Sequence, residues 1–286
     1  MDDRPSLKPV LIGLALVSAV LGWSYWTTFL EVGERWITDP QYQHGFLVPL
    51  FSAYLLWRNR DRVSAADFAP RWWGVGIVAA GLVLRLAGAV FYQPWLDTGS
   101  LLVVLAGMAA AVGGRRVLVW AAPGIVFLAF MMPLPYRFQT MLGGTLQAVA
   151  TKASTYALQT IGVSAVPEGN VILLTETRLG VVEACNGLSM LVTFFAIAAG
   201  FAILVRRSVV ERVAIVASAV PIAVAANVVR IVLTGVLFEM KQGELANRVF
   251  HDFAGLLMMP VALFLLWAEL LFFRGAVTVS ADDSGR

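Results

Sequence analysis

The chain has 286 residues, 59% of them hydrophobic and only 14% charged, with a mean hydropathy of +0.79. A soluble domain carries roughly a quarter charged residues, whereas runs here reach the ~20 apolar residues that span a bilayer, so an ordinary soluble domain is excluded. The net charge of +3 does not point to nucleic acid, because the Lys and Arg residues lie between the apolar runs, where they anchor membrane topology.

In chain order the apolar runs fall at about 9–30, 44–57, 73–92, 98–113, 117–132, 187–205, 213–238 and 252–273. The first is too long for the apolar region of a signal peptide and no small-residue cleavage site follows it, so it reads as a retained helix. The expected fold is an all-α polytopic membrane protein of about eight transmembrane helices, a single membrane-embedded domain over 1–286 without internal repeats.

Basic residues set the orientation. The N-terminal tail carries Arg4 and Lys8, and the second connection holds Arg58, Arg60, Arg62 and Arg71. The fourth has Arg115 and Arg116, the sixth Arg206, Arg207 and Arg212, and the C-terminal tail opens on Arg274. The alternate connections lack or offset such charge: Arg35 stands against Glu31, Glu34 and Asp39, and 93–97 has no basic residue. By the positive-inside rule both termini are cytoplasmic and the number of spans is even.

The segment from 132 to 184 is unlike the other connections and falls on the outer side. Pro133 and Pro135 end the fifth helix, since neither ring permits a continuous hydrogen-bond ladder. Residues 140–162 are amphipathic with Lys152 at their centre, which suits an interfacial or re-entrant helix better than a span. The stretches 171–174 and 179–182 flank turn-prone residues and predict a short β-hairpin, viable only outside the hydrocarbon layer.

Three residues invite a chemical reading: Cys185 just before the sixth run, Arg230 inside the seventh, and His251 at the start of the eighth. Each also has a plain reading. A lone cysteine is commonly a small buried hydrophobe, an arginine in a span can snorkel to the interface, and a single histidine is often an ordinary interfacial residue. Topology favours the chemical reading. Arg230 lies about 27 Å along its helix from Arg212 at 1.5 Å per residue, near the outer boundary of the hydrocarbon layer, and the other two residues fall at outer helix ends. One depth thus receives a thiol, a guanidinium and an imidazole.

A thiolate attacks a carbonyl, an imidazole holds it ionised and then protonates the leaving amine, and a fixed guanidinium stabilises the oxyanion. Asn227 shares a helix face with Arg230 and is placed to orient it. Glu183 projects to the side of Cys185 if the strand persists and is a candidate to orient Arg230 or His251. One Cys and two separated His give no recognisable metal-ligand spacing, and neither a metal nor another cofactor is expected.

At these residues the chain resembles the exosortase/archaeosortase family of membrane-embedded cysteine transpeptidases. The resemblance rests on VVEACNGLSM, ANVVRIVLTG and HDFAG in that order, with QYQHGFLVPLFSAYLLWRNR and FMMPLP elsewhere. It implies Cys185, Arg230 and His251 as catalytic residues, which Asn227, Glu183 and Asn186 are positioned in the sequence to support; at Asn186 many members carry Ser. It further implies an exported protein substrate whose C-terminal sorting tail joins a Pro-Glu-Pro-like motif to a transmembrane helix and a basic end. Cys185 would cleave that tail through a thioester, and a second, unidentified nucleophile would take the protein. An inner-membrane location, a periplasm-facing site and a link to exopolysaccharide and biofilm systems follow from the same resemblance. Two other classes stay open: a transporter or polysaccharide-assembly protein whose Arg230 and His251 line a substrate path, and an inactive envelope scaffold.

Overall fold

The protein is described from a computed structural model, which covers residues 19–181, 187–205, 207–246, 264 and 267–268. The chain falls into two compact units, Met1–Asp39 with Gly45–Pro133, and Pro40–His44 with Leu134–Arg286. Both are mostly helical. Among the described residues three helices are long and apolar enough to cross a membrane, Trp72–Val90, Pro94–Met131 and Val209–Glu239, and Met190–Leu204 is a shorter apolar helix. Residues 9–18 of the first run and most of the run at 252–273 lie outside the described residues.

The first unit contains α1 (Trp26–Thr38), α2 (Leu47–Arg58), α3 (Trp72–Val90) and α4 (Pro94–Phe127). The run at 44–57 yields a helix of only twelve residues, α2, preceded by a 3-10 turn over Pro40–Phe46. Pro49 in its first turn lacks the N–H that would bond back to Gly45, so the α-helical ladder does not extend through the turn. In α3 the flank bearing Leu82, Val83, Leu86 and Val90 is exposed, and the strongly exposed Trp72 and Tyr92 bracket the helix. Its 19 residues rise about 28 Å, close to the hydrocarbon thickness, with aromatic residues at both ends as interfacial anchors.

The three buried residues of α3 are Gly74, Gly81 and Gly88, seven apart. A side chain at Gly74 would run into the backbone of Ala111; one at Gly81 would sit 3.0 Å from the Val104 nitrogen, and one at Gly88 2.7 Å from the Asp97 nitrogen. As α3 advances fourteen residues its contacts on α4 retreat fourteen, so the two helices run antiparallel with their backbones in close approach. Helix α4 breaks at Gly113–Gly114, between the runs at 98–113 and 117–132. Gly114 takes φ 63° and ψ −150°, a region essentially reserved for glycine.

A polar network ties α1 to this pair. The Arg85 guanidinium lies 3.2 Å from the Asp97 carboxylate, 4.0 Å above the Tyr25 ring, and hydrogen-bonds the hydroxyl and carbonyl of Ser24. Thr28 donates to Asp97 at 2.5 Å, while the Tyr25 and Ser100 hydroxyls share a 2.7 Å bond.

The second unit contains α5 (Tyr136–Thr160), the strands β1 (Val166–Glu168), β2 (Val171–Leu173) and β3 (Arg178–Gly180), then α6 (Gly187–Leu204) and α7 (Val209–Glu239). The amphipathic stretch is one 25-residue helix that begins at Tyr136, directly after Pro135, rather than at 140. It buries Ala150, Thr151, Ser154, Thr155 and Leu158, a small and polar stripe at helical spacing. The expected hairpin is present: β2 pairs antiparallel with β3, Ile172 opposite Leu179. A further strand, β1, pairs with β2 on its other side, giving the order β1-β2-β3. The sheet packs one face on α5 and α7 through Ile172, Leu179 and Val181. Thr175 in the β2–β3 turn donates to Glu239 at 2.9 Å, and Glu176 lies 3.7 Å from Lys241, so the hairpin tip is fastened to the end of α7.

Candidate active site

Helix α7 carries the arginine and has a strong start. The Ser208 hydroxyl accepts from the Glu211 N–H, and the Glu211 carboxylate accepts from the Ser208 N–H at 3.0 Å, a capping box that satisfies two orphan donors. From there Ile215, Ala219, Ala223, Ala226, Asn227, Arg230, Ile231, Thr234 and Gly235 form one buried stripe, three and four residues apart. In this mostly apolar stripe, Asn227 is 2% exposed and Arg230 4% exposed. Such residues are held only where hydrogen bonds offset the loss of solvation. Arg230 Nη2 donates to Asn227 Oδ1 at 2.6 Å, and Thr234 Oγ1 caps the Arg230 carbonyl at 2.9 Å. The i, i+3 relation read from the sequence is thus an actual bond, and it fixes the guanidinium with a neutral acceptor.

Two apolar clusters meet on α7 at this point. One joins Leu188, Leu191, Phe194 and Ala198 of α6 to Ala219, Ala223 and Ala226. The other joins Ala150 and Leu158 of α5, and Ile172, Leu179 and Val181 of the sheet region, to Ile231. Arg230 sits between Ala226 of the first and Ile231 of the second. The same two clusters hold the described residues on either side of 182–186: Val181, fully buried, and Leu188, 1% exposed.

Of the residues singled out from the sequence, Asn227 and Arg230 are described and bonded to one another. Glu183, Cys185, Asn186 and His251 lie outside the described residues.

Sequence reading did not assign a role to a polar cluster where the chain enters and leaves the FMMPLP turn. His44, 7% exposed, has its Nδ1 3.3 Å from the Thr193 hydroxyl of α6. Tyr42, 2% exposed, accepts from the Leu134 N–H at 3.1 Å and from Gln139 Nε2 at 2.9 Å, and that amide also donates to the Leu134 carbonyl at 2.6 Å. These bonds serve the backbone that the two prolines leave outside regular structure. The signal available was the polar QYQHG stretch ahead of an apolar run, already part of the resemblance. Arg85 gave a signal of the same kind as Arg230, a charge inside an apolar run. Arg85 meets the Asp97 carboxylate and the Tyr25 ring, and Arg230 donates to the Asn227 amide oxygen.

Exposed apolar flanks on helices long and apolar enough to cross a membrane make this a multi-pass membrane protein. Neither curated proteins nor solved structures include a match to the chain. The family model described as transmembrane exosortase matches residues 36–268, from α1 through α7 and beyond, including every motif that carries the candidate residues. The chain belongs to the transmembrane exosortase family.

Proposed function

We propose that the protein is a membrane-embedded cysteine transpeptidase that removes the C-terminal sorting tail of exported proteins at the outer face of the bacterial inner membrane. The observation that carries this reading is Arg230, a buried guanidinium held by Asn227 where the clusters flanking 182–186 also meet. A preorganised cation of this kind suits the charge that appears on a carbonyl oxygen during acyl transfer. Membership of the exosortase family supports the same class of reaction.

In this reading the Cys185 thiolate forms a C–S bond to the carbonyl carbon ahead of the tail, and the carbonyl π electrons move to oxygen, where Arg230 stabilises them. Collapse breaks the C–N bond, and protonated His251 gives its proton to the departing amine. The tail leaves with its transmembrane helix, and the exported protein remains as a thioester on Cys185. A second nucleophile, an amine or water, then attacks the thioester and gives its proton to the now neutral His251; the C–S bond breaks and the thiolate is restored. Asn227 keeps Arg230 in place, and Glu183 and Asn186 flank the nucleophile. A substrate with a Pro-Glu-Pro-like motif next to its transmembrane helix would present the motif just outside the bilayer, and exopolysaccharide or biofilm loci are the setting in which to seek it.

The test is co-expression with a tagged candidate sorting-tail protein. Wild type should release the tail and yield a mass-shifted Cys185 adduct, while Cys185→Ala should insert normally and process nothing. Processing at the wild-type rate by Cys185→Ala would remove the nucleophile from this reading.

A further inference from the structure

The three-stranded sheet has two outer edges, and they differ chemically. In β1 the central residue is Pro167, which has no N–H and blunts that edge. On the other side, Val181 N–H bonds to the Asn170 carbonyl and Leu174 N–H to the Thr177 carbonyl. With Ile172 opposite Leu179, these bonds fix the phase of the β2–β3 ladder. Hydrogen-bonded and non-bonded pairs alternate in such a ladder. The N–H and C=O of Arg178 and Gly180 therefore point away from β2, toward the open edge, and among the described residues no strand pairs with them.

That edge is firmly held, and the face beside it has room. Leu179 anchors β3 in the core, and the hairpin tip is tied to α7 by Thr175–Glu239 and Glu176–Lys241. A side chain built at Gly180 would meet nothing within 4 Å, and Arg178 is exposed. Charge at the edge is also one-sided. Glu176 is paired with Lys241, and Glu168 lies on β1, about 10 Å away across two strand spacings. Among the described residues Arg178 has no ion-pair partner. From Gly180 the chain reaches Cys185 in five residues.

We infer that the open edge of β3 is the substrate-binding strand: an extended segment of the substrate polypeptide adds to it by backbone hydrogen bonds, with an acidic side chain set beside Arg178. This rests on the transpeptidase reading above and specifies how that enzyme would hold its substrate. Adding a strand satisfies the outward groups of Arg178 and Gly180, and cross-strand neighbours bring a carboxylate within reach of the guanidinium. A Pro-Glu-Pro-like segment meets the geometry, because alternate residues of a strand face the partner. The Glu supplies the N–H and C=O toward β3, while the two prolines, which lack the donor, face away.

The experiment measures processing of a tagged sorting-tail substrate, and of a variant with its motif Glu replaced by Lys, by purified wild type, Gly180→Pro, Arg178→Glu and Cys185→Ala. Gly180→Pro removes one outward donor and leaves the β2–β3 ladder intact, so KM should rise about tenfold. Arg178→Glu should lose the wild-type substrate and recover activity on the Lys variant. Cys185-dependent processing with an unaltered KM in Gly180→Pro and no charge preference in Arg178→Glu would overturn the edge assignment and leave the transpeptidase standing. Processing that survives Cys185→Ala would overturn both. Should Gly180→Pro fail to fold, the charge exchange alone decides, because Arg178 is exposed and outside the core.

Discussion

At the scale of the residue, Arg85 and Arg230 both lie inside apolar helices, and the proposed reaction gives them different work. Arg85 is bonded to Asp97, Tyr25 and Ser24, so its role is to join three helices. Arg85→Met should leave Asp97 partly buried without its cation and lower thermal stability by about 3 kcal/mol or more, with activity lost only in proportion to folded protein. Arg230→Met should do the reverse in kind: the protein inserts and folds, but tail release falls at least a hundredfold, as for a lost oxyanion donor. Asn227→Ala should fall between them, lowering kcat with little change in KM. Equal thermal losses and equal residual activity in the two Met variants would remove the distinction. Outside the spans, Asp67 is the clearest titrating group. Its carboxylate accepts from the Ser64 N–H and hydroxyl and pairs with Arg116 at 2.7 Å. The Ser64 backbone bond, first among these causes, helps hold its pKa down at about 2. A lowered folded pKa means that the contribution to stability is present above the unfolded value and disappears as pH falls from about 4 to about 2. Wild type should thus melt above Asp67→Asn at pH 6 and converge with it near pH 2, as read by thermal unfolding in detergent.

At the scale of the element, much was legible in the sequence because the signals are local. Pro133 and Pro135 do end a helix, the hairpin forms at 171–173 and 178–180, and the break between the fourth and fifth runs falls at Gly113–Gly114. The third strand was not legible: Val-Pro-Glu has a proline at its centre, and only pairing with β2 makes it a strand. The glycines of α3 were visible as residues but not as a seam, since their meaning depends on α4 lying against them. That seam makes a pair of substitutions with opposite signs. Gly74→Ala drives a methyl group into the Ala111 backbone, which cannot yield without moving a helix, and should cost about 1–3 kcal/mol. Gly76→Ala, two residues along the same helix with nothing within 4 Å of the added carbon, should be neutral or stabilising by up to about 1 kcal/mol. Thermal melts of the two variants decide it; equal destabilisation would mean that the close approach of α3 and α4 is not what the glycines serve.

At the scale of the whole molecule, the sequence argues orientation from charge, and the second unit offers an independent argument from contact. The hairpin tip and the end of α7 touch, through Thr175–Glu239 and Glu176–Lys241, so residues 176 and 241 share one side of any membrane. Between them the chain passes through α6 and α7, which pack along one another. If α6 and α7 each cross the bilayer, as the sequence expects, the chain returns to its starting side and the connection at Arg206, Arg207 and Arg212 lies on the opposite one. That agrees with the parity that the basic connections imply. The sequence gives depth along a helix but not the direction in which a side chain faces, so it carries Cys185, Arg230 and His251 to one expected level and no further. Orientation is open to a direct measurement. In a Cys185→Ala background, Glu176→Cys and Lys241→Cys should react with an impermeant maleimide on spheroplasts, whereas Arg62→Cys should react only after the membrane is opened. All three positions are exposed, so access is set by the membrane and not by burial. Labelling of Arg62→Cys from outside would reverse the charge-based orientation. Labelling of Glu176→Cys and Lys241→Cys from different sides would contradict the contact that joins them. The expected pattern would put the hairpin, and with it the proposed substrate-binding edge, on the face where an exported protein arrives.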